Sequence, residues 1–345
     1  MKLSIVIICW NDLKVVQDCL KSVYAQTVQL NFEVIVSDNG STDGSPAYIR
    51  EHFPNVRIVQ NGANLGFAKG NNTGIRVAQG EYVLILNPDT IIHDRALEKL
   101  IAYADVHSKA GAFGCQVLNR DGSYQESARP IPTVRGYLIG ALGLRWLGRL
   151  SDFFSSDTYI GWDGQTEREI GFQSGCCVMF RRELLNQLKG FDERFFYHFE
   201  ESDLCYRLWK MGSSIRFCPE AAITHLGGQS VGRFPIRFAL ETYRSRYRYF
   251  YKHFGETGLR RIRWVSLLHL GLRWGAYGLL RLVKPSEALR NRLGCYRVLI
   301  GWNWQLDPLL FVRKGVEPDV GYAPLAPPPV MAEETGSCQA WTLTG

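Results

Sequence analysis

Short apolar runs alternate with polar, Gly- and Asn-rich segments through the first part of the chain. Residues 3–10 read as a buried strand, followed by polar Asn11 and Asp12 and a helical stretch to about Ala25. Residues 32–37, 56–59 and 81–86 repeat the pattern, and the last run stops at Asn87, Pro88 and Asp89. Strand, polar loop, helix, strand predicts an α/β fold with a mostly parallel central sheet covered by helices. Between about 110 and 180 the alternation is less regular. A helix is predicted over 182–189, ended by Gly190, and another from Glu200 to about Met211. Beyond this lies a helical extension, in which Trp264, Leu268, Leu272, Leu279 and Leu282 share one face.

Composition sharpens this reading. With 46% hydrophobic and 21% charged residues the chain can bury a core, which excludes wholesale disorder. The net charge of +7 is unevenly spread: residues 233–297 hold 15 Lys and Arg against three acids. Three parts are expected: a catalytic domain over 1–230, a basic helical extension over 231–315, and a Pro-rich, disordered tail over 316–345. The nine cysteines show no C-x-x-C pair, so zinc and disulfide frameworks are excluded and a reducing, cytoplasmic setting is expected. The apolar run after Lys2 is too short for a secretory signal.

Ligands of such sheets bind beyond the carboxyl ends of the strands, and three of those ends carry Asp or Asn: Asn11, Asp38 and the Asn87–Asp89 pair. Asp38 could accept hydrogen bonds from a nucleoside, whereas Asp43 fits a helix cap better. Asp89 offers a carboxylate to a hard divalent cation, although Asn-Pro-Asp also simply stops a strand. The segment from Asn64 to Gly74 matches no dinucleotide or P-loop spacing. Its glycines could admit phosphate beside Lys69 or merely let a helix pack closely. Glu200, Glu201 and Asp203 crowd one helical turn; Asp203 can pair with Arg207, while Glu200 and Glu201 point about 100° apart, so one can face a cleft as a general base. His225, just before two glycines, is a candidate metal ligand or a structural histidine.

Taken in order, the residue 4–8 strand, Ser37 to Gly44, Asn64 to Ala68, Leu86 to Asp89, Ser174 to Arg181, Gly190 to Phe196 and Phe199 to Arg207 resemble a family-2 glycosyltransferase of the GT-A fold, nearest its rhamnosyltransferase-like branch. That resemblance implies inverting transfer from a nucleotide-diphosphate sugar, with dTDP-rhamnose or a UDP-hexose as donor. It implies donor contacts from Asn11, Asp38, Asn64, Lys69 and Asn87, and Mg2+ or Mn2+ held by Asp89 and His225. Glu201 takes the place of the second acid of the family's Glu-Asp motif, which makes it the catalytic base, with Glu200 as the alternative. Two departures stand out: Asn87 replaces an acid, and the usual Glu-Asp pair is Glu-Glu.

The expected acceptor is a cell-surface glycan or a polyprenyl-linked sugar. The basic, aromatic extension is expected to touch an anionic membrane surface through 260–284 rather than nucleic acid, placing the protein peripherally on the inner face of the cytoplasmic membrane. A spanning helix would set Arg273 mid-bilayer at a cost of roughly 2.5–3.5 kcal/mol. The competing readings are a non-catalytic lipid- or sugar-binding relative and a sugar-phosphate nucleotidyltransferase. The latter would want a basic, glycine-rich loop where residues 9–14 offer none.

Overall fold

The computed structural model describes residues 1–227 and 235–321. Its first part alternates β1 (Leu3–Cys9), α1 (Leu13–Gln26), β2 (Phe32–Asp38), α2 (Ser45–His52), β3 (Arg57–Gln60), α3 (Gly66–Ile75) and β4 (Tyr82–Leu86). There follow β5 (Thr90–Ile92), α4 (Ala96–Val106), β6 (Ala110–Leu118), β7 (Ala128–Arg129) and α5 (Val134–Ala141). Two 3-10 turns, Leu144–Arg149 and Asp152–Ser155, lead to β8 (Arg168–Glu169), β9 (Phe172–Gln173) and β10 (Cys177–Arg181). Then come α6 (Arg182–Gln187), α7 (Glu200–Lys210), β11 (Ser214–His225), α8 (Pro235–Val283), α9 (Glu287–Gln305) and α10 (Pro308–Lys314).

The main sheet has the order β3-β2-β1-β4-β10-β6-β11-β5, with β8 also paired to β11. Strands β1 to β4 form a parallel block. β10 then runs antiparallel to both β4 and β6, and β11 returns parallel to β6. Alternate residues explain the layering: Leu3, Ile5, Ile7 and Tyr82, Leu84, Leu86 enter one core, while Val6, Val83 and Ile85 enter the other. A sheet buried on both faces must be apolar on both. Helix α1 covers one face with Val16, Cys19, Leu20 and Val23, a spacing of three and four that keeps them on one stripe.

Two registers set the site. Cys9 lies opposite Asp38, and Ile7 opposite Leu86, so β1 and β2 end level, β4 ends two residues earlier, and all three present their following residues at one edge. β5 starts at Thr90 and pairs antiparallel with β11, placing Thr90 opposite His225. That puts Asp89 beside a histidine 136 positions later in the chain.

The expected stretch without regular strands holds two central ones, β6 and β10. β6 carries Gly111 and Gly114, and a Cβ at Gly114 would meet the Gln173 amide oxygen at 2.5 Å, so close packing demands glycine where a pattern search expects a side chain. α8 bends at Gly255 (φ 62°, ψ −162°). Before the bend, Leu240, Tyr243, Tyr247 and Phe250 join Phe195, Phe199 and Leu204 in a single core, so the extension and the body share their packing. The expected boundary at 230/231 and most of the Pro-rich tail, residues 322–345, lie outside the described residues.

Candidate active site

The ends of β1, β2 and β4 open onto a cleft of about 190 Å³ whose lining includes Trp10, Asn39, Asn64, Asn87, Asp89 and His225. Drug-sized ligands usually need ~300–1,000 Å³, so a larger ligand here would be only partly enclosed. Each polar wall is held from behind. Asn39 donates from Nδ2 to Asn64 Oδ1 at 3.3 Å and to Gly66 O at 3.2 Å, while its own Oδ1 accepts from Asn61 at 2.8 Å. Asn64 Oδ1 also accepts from Gly66 N at 3.0 Å.

The glycines of α3 serve packing. A Cβ at Gly70 would lie 2.5 Å from Ile8, one at Gly74 2.5 Å from Val6, and one at Gly66 2.5 Å from the Phe196 ring. Lys69 is exposed on the outer side of α3 and is not part of the cleft wall. Asp38 is buried, its carboxylate accepting from Ser41 N at 3.3 Å, and its neighbour Asn39 is the residue that lines the cleft. Asn11, held at φ 57°, accepts from Thr42 N at 2.7 Å and so ties the loop after β1 to the loop after β2. Asp43 accepts from Leu13 N at 2.9 Å and Ser45 N at 3.0 Å, the first residues of α1 and α2.

At the other side of the cleft, His225 Nε2 lies 3.3 Å from Asp89 Oδ1 and 3.4 Å from Asn87 Nδ2. His225 Nδ1 is 2.7 Å from Gln125 Oε1. An amide oxygen only accepts, so it fixes the proton on Nδ1 and turns the Nε2 lone pair toward Asp89. Such an orienting partner is what metal-ligating histidines usually have. The pair plus the Asn87 amide suits Mg2+ or Mn2+ that draws its remaining ligands from phosphate oxygens and water. Among the described residues no group of three or more His, Cys, Asp or Glu forms a self-sufficient metal site.

The α7 carboxylates are brought in by an unusual turn. His198 (φ 64°) and Phe199 (φ 70°) are consecutive non-glycine residues in the left-handed region, a conformation that costs of order 1–3 kcal/mol each and clusters at functional sites. The turn starts α7 with Glu200 and Glu201 in its first turn. Glu200 is buried and Glu201 half-buried, and one carboxylate oxygen of each has no hydrogen-bond partner. Burial pushes Glu200 well above the usual carboxylate range, with the Glu201 charge adding to it, and burial also raises Glu201. Glu201, unlike Glu200, faces a second cavity of about 300 Å³, bounded also by Arg129, Tyr137 and Ser174.

The segment 174–176 joins the two halves. Gly175 N donates to the Glu201 carboxylate, and Cys176 O accepts from Asn87 N at 3.0 Å. Buried Cys176, its thiol pushed up to about 12 mainly by burial, feels the charges of both Asp89 and Glu201. Tyr197, a wall of the first cleft, is raised by burial and by Glu200, Glu201 and Asp89. Asp203 instead looks away, into a cluster with Arg207 (2.8 Å), Lys252 (2.6 Å) and His253 (2.7 Å). Sequence reasoning missed Gln125, Asn39 and Tyr197; Gln125 sits in an irregular loop with no motif, its N–H donates to Val117 O on β6, and the pairing of β6 with β11 brings it near His225.

The family-2 glycosyltransferase profile (Glycosyl transferase family 2) matches residues 4–189. An N-acetylglucosaminyl-diphospho-decaprenol L-rhamnosyltransferase of Mycobacterium tuberculosis is 31% identical over 252 residues, covering 70% of this chain and 81% of the relative. Rhamnosyltransferase WbbL of Escherichia coli K12 is 27% identical, covering 56% of this chain and 73% of its own. The solved mannosyltransferase PcManGT of Pyrobaculum calidifontis, in complex with GDP-Man and Mn2+, superposes with a TM-score of 0.52 at 17% identity, covering 88% of this chain and 84% of that one. The fold is thus the GT-A nucleotide-sugar-binding fold, with a helical C-terminal region. The chain belongs to glycosyltransferase family 2 and is a glycosyltransferase similar to rhamnosyltransferases.

Proposed function

We propose that this glycosyltransferase moves a deoxyhexose, rhamnose, from its nucleotide diphosphate to a hydroxyl of a polyprenyl-linked sugar, with inversion and with Glu201 as general base. The observation that carries the reading is the 174–176 bridge, which ties Glu201 to the Asn87–Asp89 side of the cleft. The name of the M. tuberculosis relative, which pairs an L-rhamnosyl group with a diphospho-decaprenol acceptor, supports the choice of substrates.

Asn39 and Asn64, with Asp38 behind them, offer the fixed donors and acceptors that a nucleoside needs. Asp89 and His225 are the residues that would hold Mg2+ or Mn2+, which when bound offsets the charge of the leaving diphosphate. Glu201 opens to the second cavity, where an acceptor hydroxyl can approach the donor from the opposite face. As that oxygen bonds to the anomeric carbon, Glu201 takes its proton and the nucleoside diphosphate leaves with the electron pair of the broken bond. A raised pKa suits this role, since a base works best when its affinity for protons approaches the operating pH. Glu200, which lines neither cavity and whose pKa burial pushes well above the usual carboxylate range, has no path to the acceptor. The extension fits peripheral attachment at the inner face of the cytoplasmic membrane, where such acceptors lie.

The test is a transfer and donor-hydrolysis screen across UDP-, dTDP- and GDP-sugars, with and without Mn2+. Turnover with a dTDP-sugar that depends on the cation is expected. Glu201→Gln should lower turnover by about 10²-fold or more while sparing donor affinity. Near-normal turnover in that variant would move the role to Glu200.

A further inference from the structure

Helix α8 beyond Gly255 packs on the body in an unexpected sense. Its buried stripe is Leu259, Ile262, Ser266 and Leu270. Arg263 turns inward too, donating to Asn303 O and Trp304 O near the carboxyl end of α9 at 3.0–3.3 Å. The apolar face of Trp264, Leu268, Leu272, Leu279 and Leu282 is left outside, with Trp264 at 61% and Leu282 at 80% exposure. A helix that merely covered the catalytic body would show the reverse.

A second apolar patch lies on different elements. After α5 the chain exposes Leu142, Trp146, Leu150 and Phe153 along the two 3-10 turns. The patches are neighbours: the Arg145 charge acts on His269 of α8, and α5 packs against α8. Cations surround both. Residues 257–286 contain six Lys and Arg and no acid, and residues 134–153 contain three Arg and one acid, Asp152. Among the described residues no helix is long and apolar enough to cross a membrane. Exposed Trp and Leu ringed by cations fit the boundary of an anionic bilayer, where apolar side chains sink below the headgroups and Lys and Arg meet phosphate.

We infer that the 3-10 segment 142–153 and the 264–284 part of α8 form one bilayer-docking face, and that this face holds the Glu201 cavity beside the lipid surface. The second half rests on contacts through Arg246. Its guanidinium lies over the Tyr137 ring at 4.5 Å and donates to Ser266 at 3.2 Å. Tyr137 is a wall of the Glu201 cavity, and Ser266 sits between Trp264 and Leu268 on α8. One arginine therefore joins the cavity wall to the docking helix. The inference deepens the acceptor reading, resting on it for the purpose of the face and not for its existence.

Flotation with phosphatidylcholine vesicles, with and without phosphatidylglycerol, tests it without any sugar. The full chain should bind the phosphatidylglycerol vesicles, more weakly as salt is raised. Trp146→Ser with Leu150→Ser, and separately Leu279→Ser with Leu282→Ser, should each weaken binding by roughly 10²-fold. All four residues are exposed, and an unchanged far-UV spectrum checks folding. Failure of the wild-type chain to float overturns the inference, as does wild-type binding by the Trp146/Leu150 pair. So would light scattering that finds a dimer which these substitutions dissolve, since a second copy would then be the occupant. Intact vesicle binding without transfer to a polyprenyl-linked sugar leaves the docking face standing and refutes the acceptor reading instead.

Discussion

Glu200 and Glu201 differ by one position and a full change of surroundings. Glu200 is buried with one oxygen unpartnered, and Glu201 borders a cavity. The two titrate as a pair, so each charge opposes the other. A carboxyl whose folded pKa is raised binds more protons folded than unfolded. Its contribution to stability is fully present below its ordinary value of 4.5 and is lost as pH rises through the folded value. Glu200→Gln removes that loss at neutral pH. The thermal midpoint should rise, by ~1–2 °C for about 1 kcal/mol of relief, and the gain should vanish in melts below pH 4.5. Glu201 is raised by burial and not by the Glu200 charge, so the acidic limb of the turnover profile should stay where it is in this variant. A limb displaced to lower pH in Glu200→Gln would mean that Glu200 is charged while Glu201 still holds its proton. Gln125 allows a check independent of turnover. Gln125→Leu frees the His225 tautomer, and Mn2+ affinity in the presence of nucleoside diphosphate, read by calorimetry, should fall about 10–100-fold; equal affinity would show that His225 is no ligand.

At the scale of elements, what could be read from the chain was what periodicity and turn chemistry encode. β1, β2, β3 and β4 were legible because apolar runs end in Asn, Asp and Gly, and α7 because its acids and Arg207 obey helical spacing. β6, β10 and β11 were not, since their sides are set by partners distant in sequence. The site divided similarly: Asp89, His225 and Glu201 each had a chemical reason to be noticed, but only the β5–β11 register and the 174–176 bridge unite them. Lys69 shows the converse, a plausible cation that α3 turns to solvent because Gly70 and Gly74 must face β1 and Gly66 the Phe196 ring. Gly74→Ala would drive a methyl to 2.5 Å from Val6. Overpacking of this kind costs about 1–3 kcal/mol, so a lowered denaturation midpoint with little change in Mn2+ affinity is expected. An unchanged midpoint would show that α3 can shift freely.

The molecule as a whole is held by a junction that no motif announces. Asp203 is wholly buried at the start of α7, and its neutralising partners Lys252 and His253 come from α8. Burial opposes its charge, but the hydrogen bond from His253 and the charges of Arg207 and Lys252 prevail and hold its pKa below the ordinary 3.8. A group lowered by folding lends stability that is fully present above its ordinary pKa and is lost as pH falls through the folded one. The same α8 segment puts Tyr243, Tyr247 and Phe250 against Phe195, Phe199 and Leu204. The strained turn that aims Glu200 and Glu201 is thus braced by the extension. Removing one side of a buried ion cluster strands the other at a cost of about 3–5 kcal/mol, before any apolar area is counted. A chain cut after Gly227 should therefore lose its cooperative thermal transition and bind hydrophobic dye, whereas one cut after Gly321 should melt like the full chain. If the shorter piece melted cooperatively at the full-length midpoint, α8 would be an ornament on an independent catalytic body, and the position of Glu201 would need another cause.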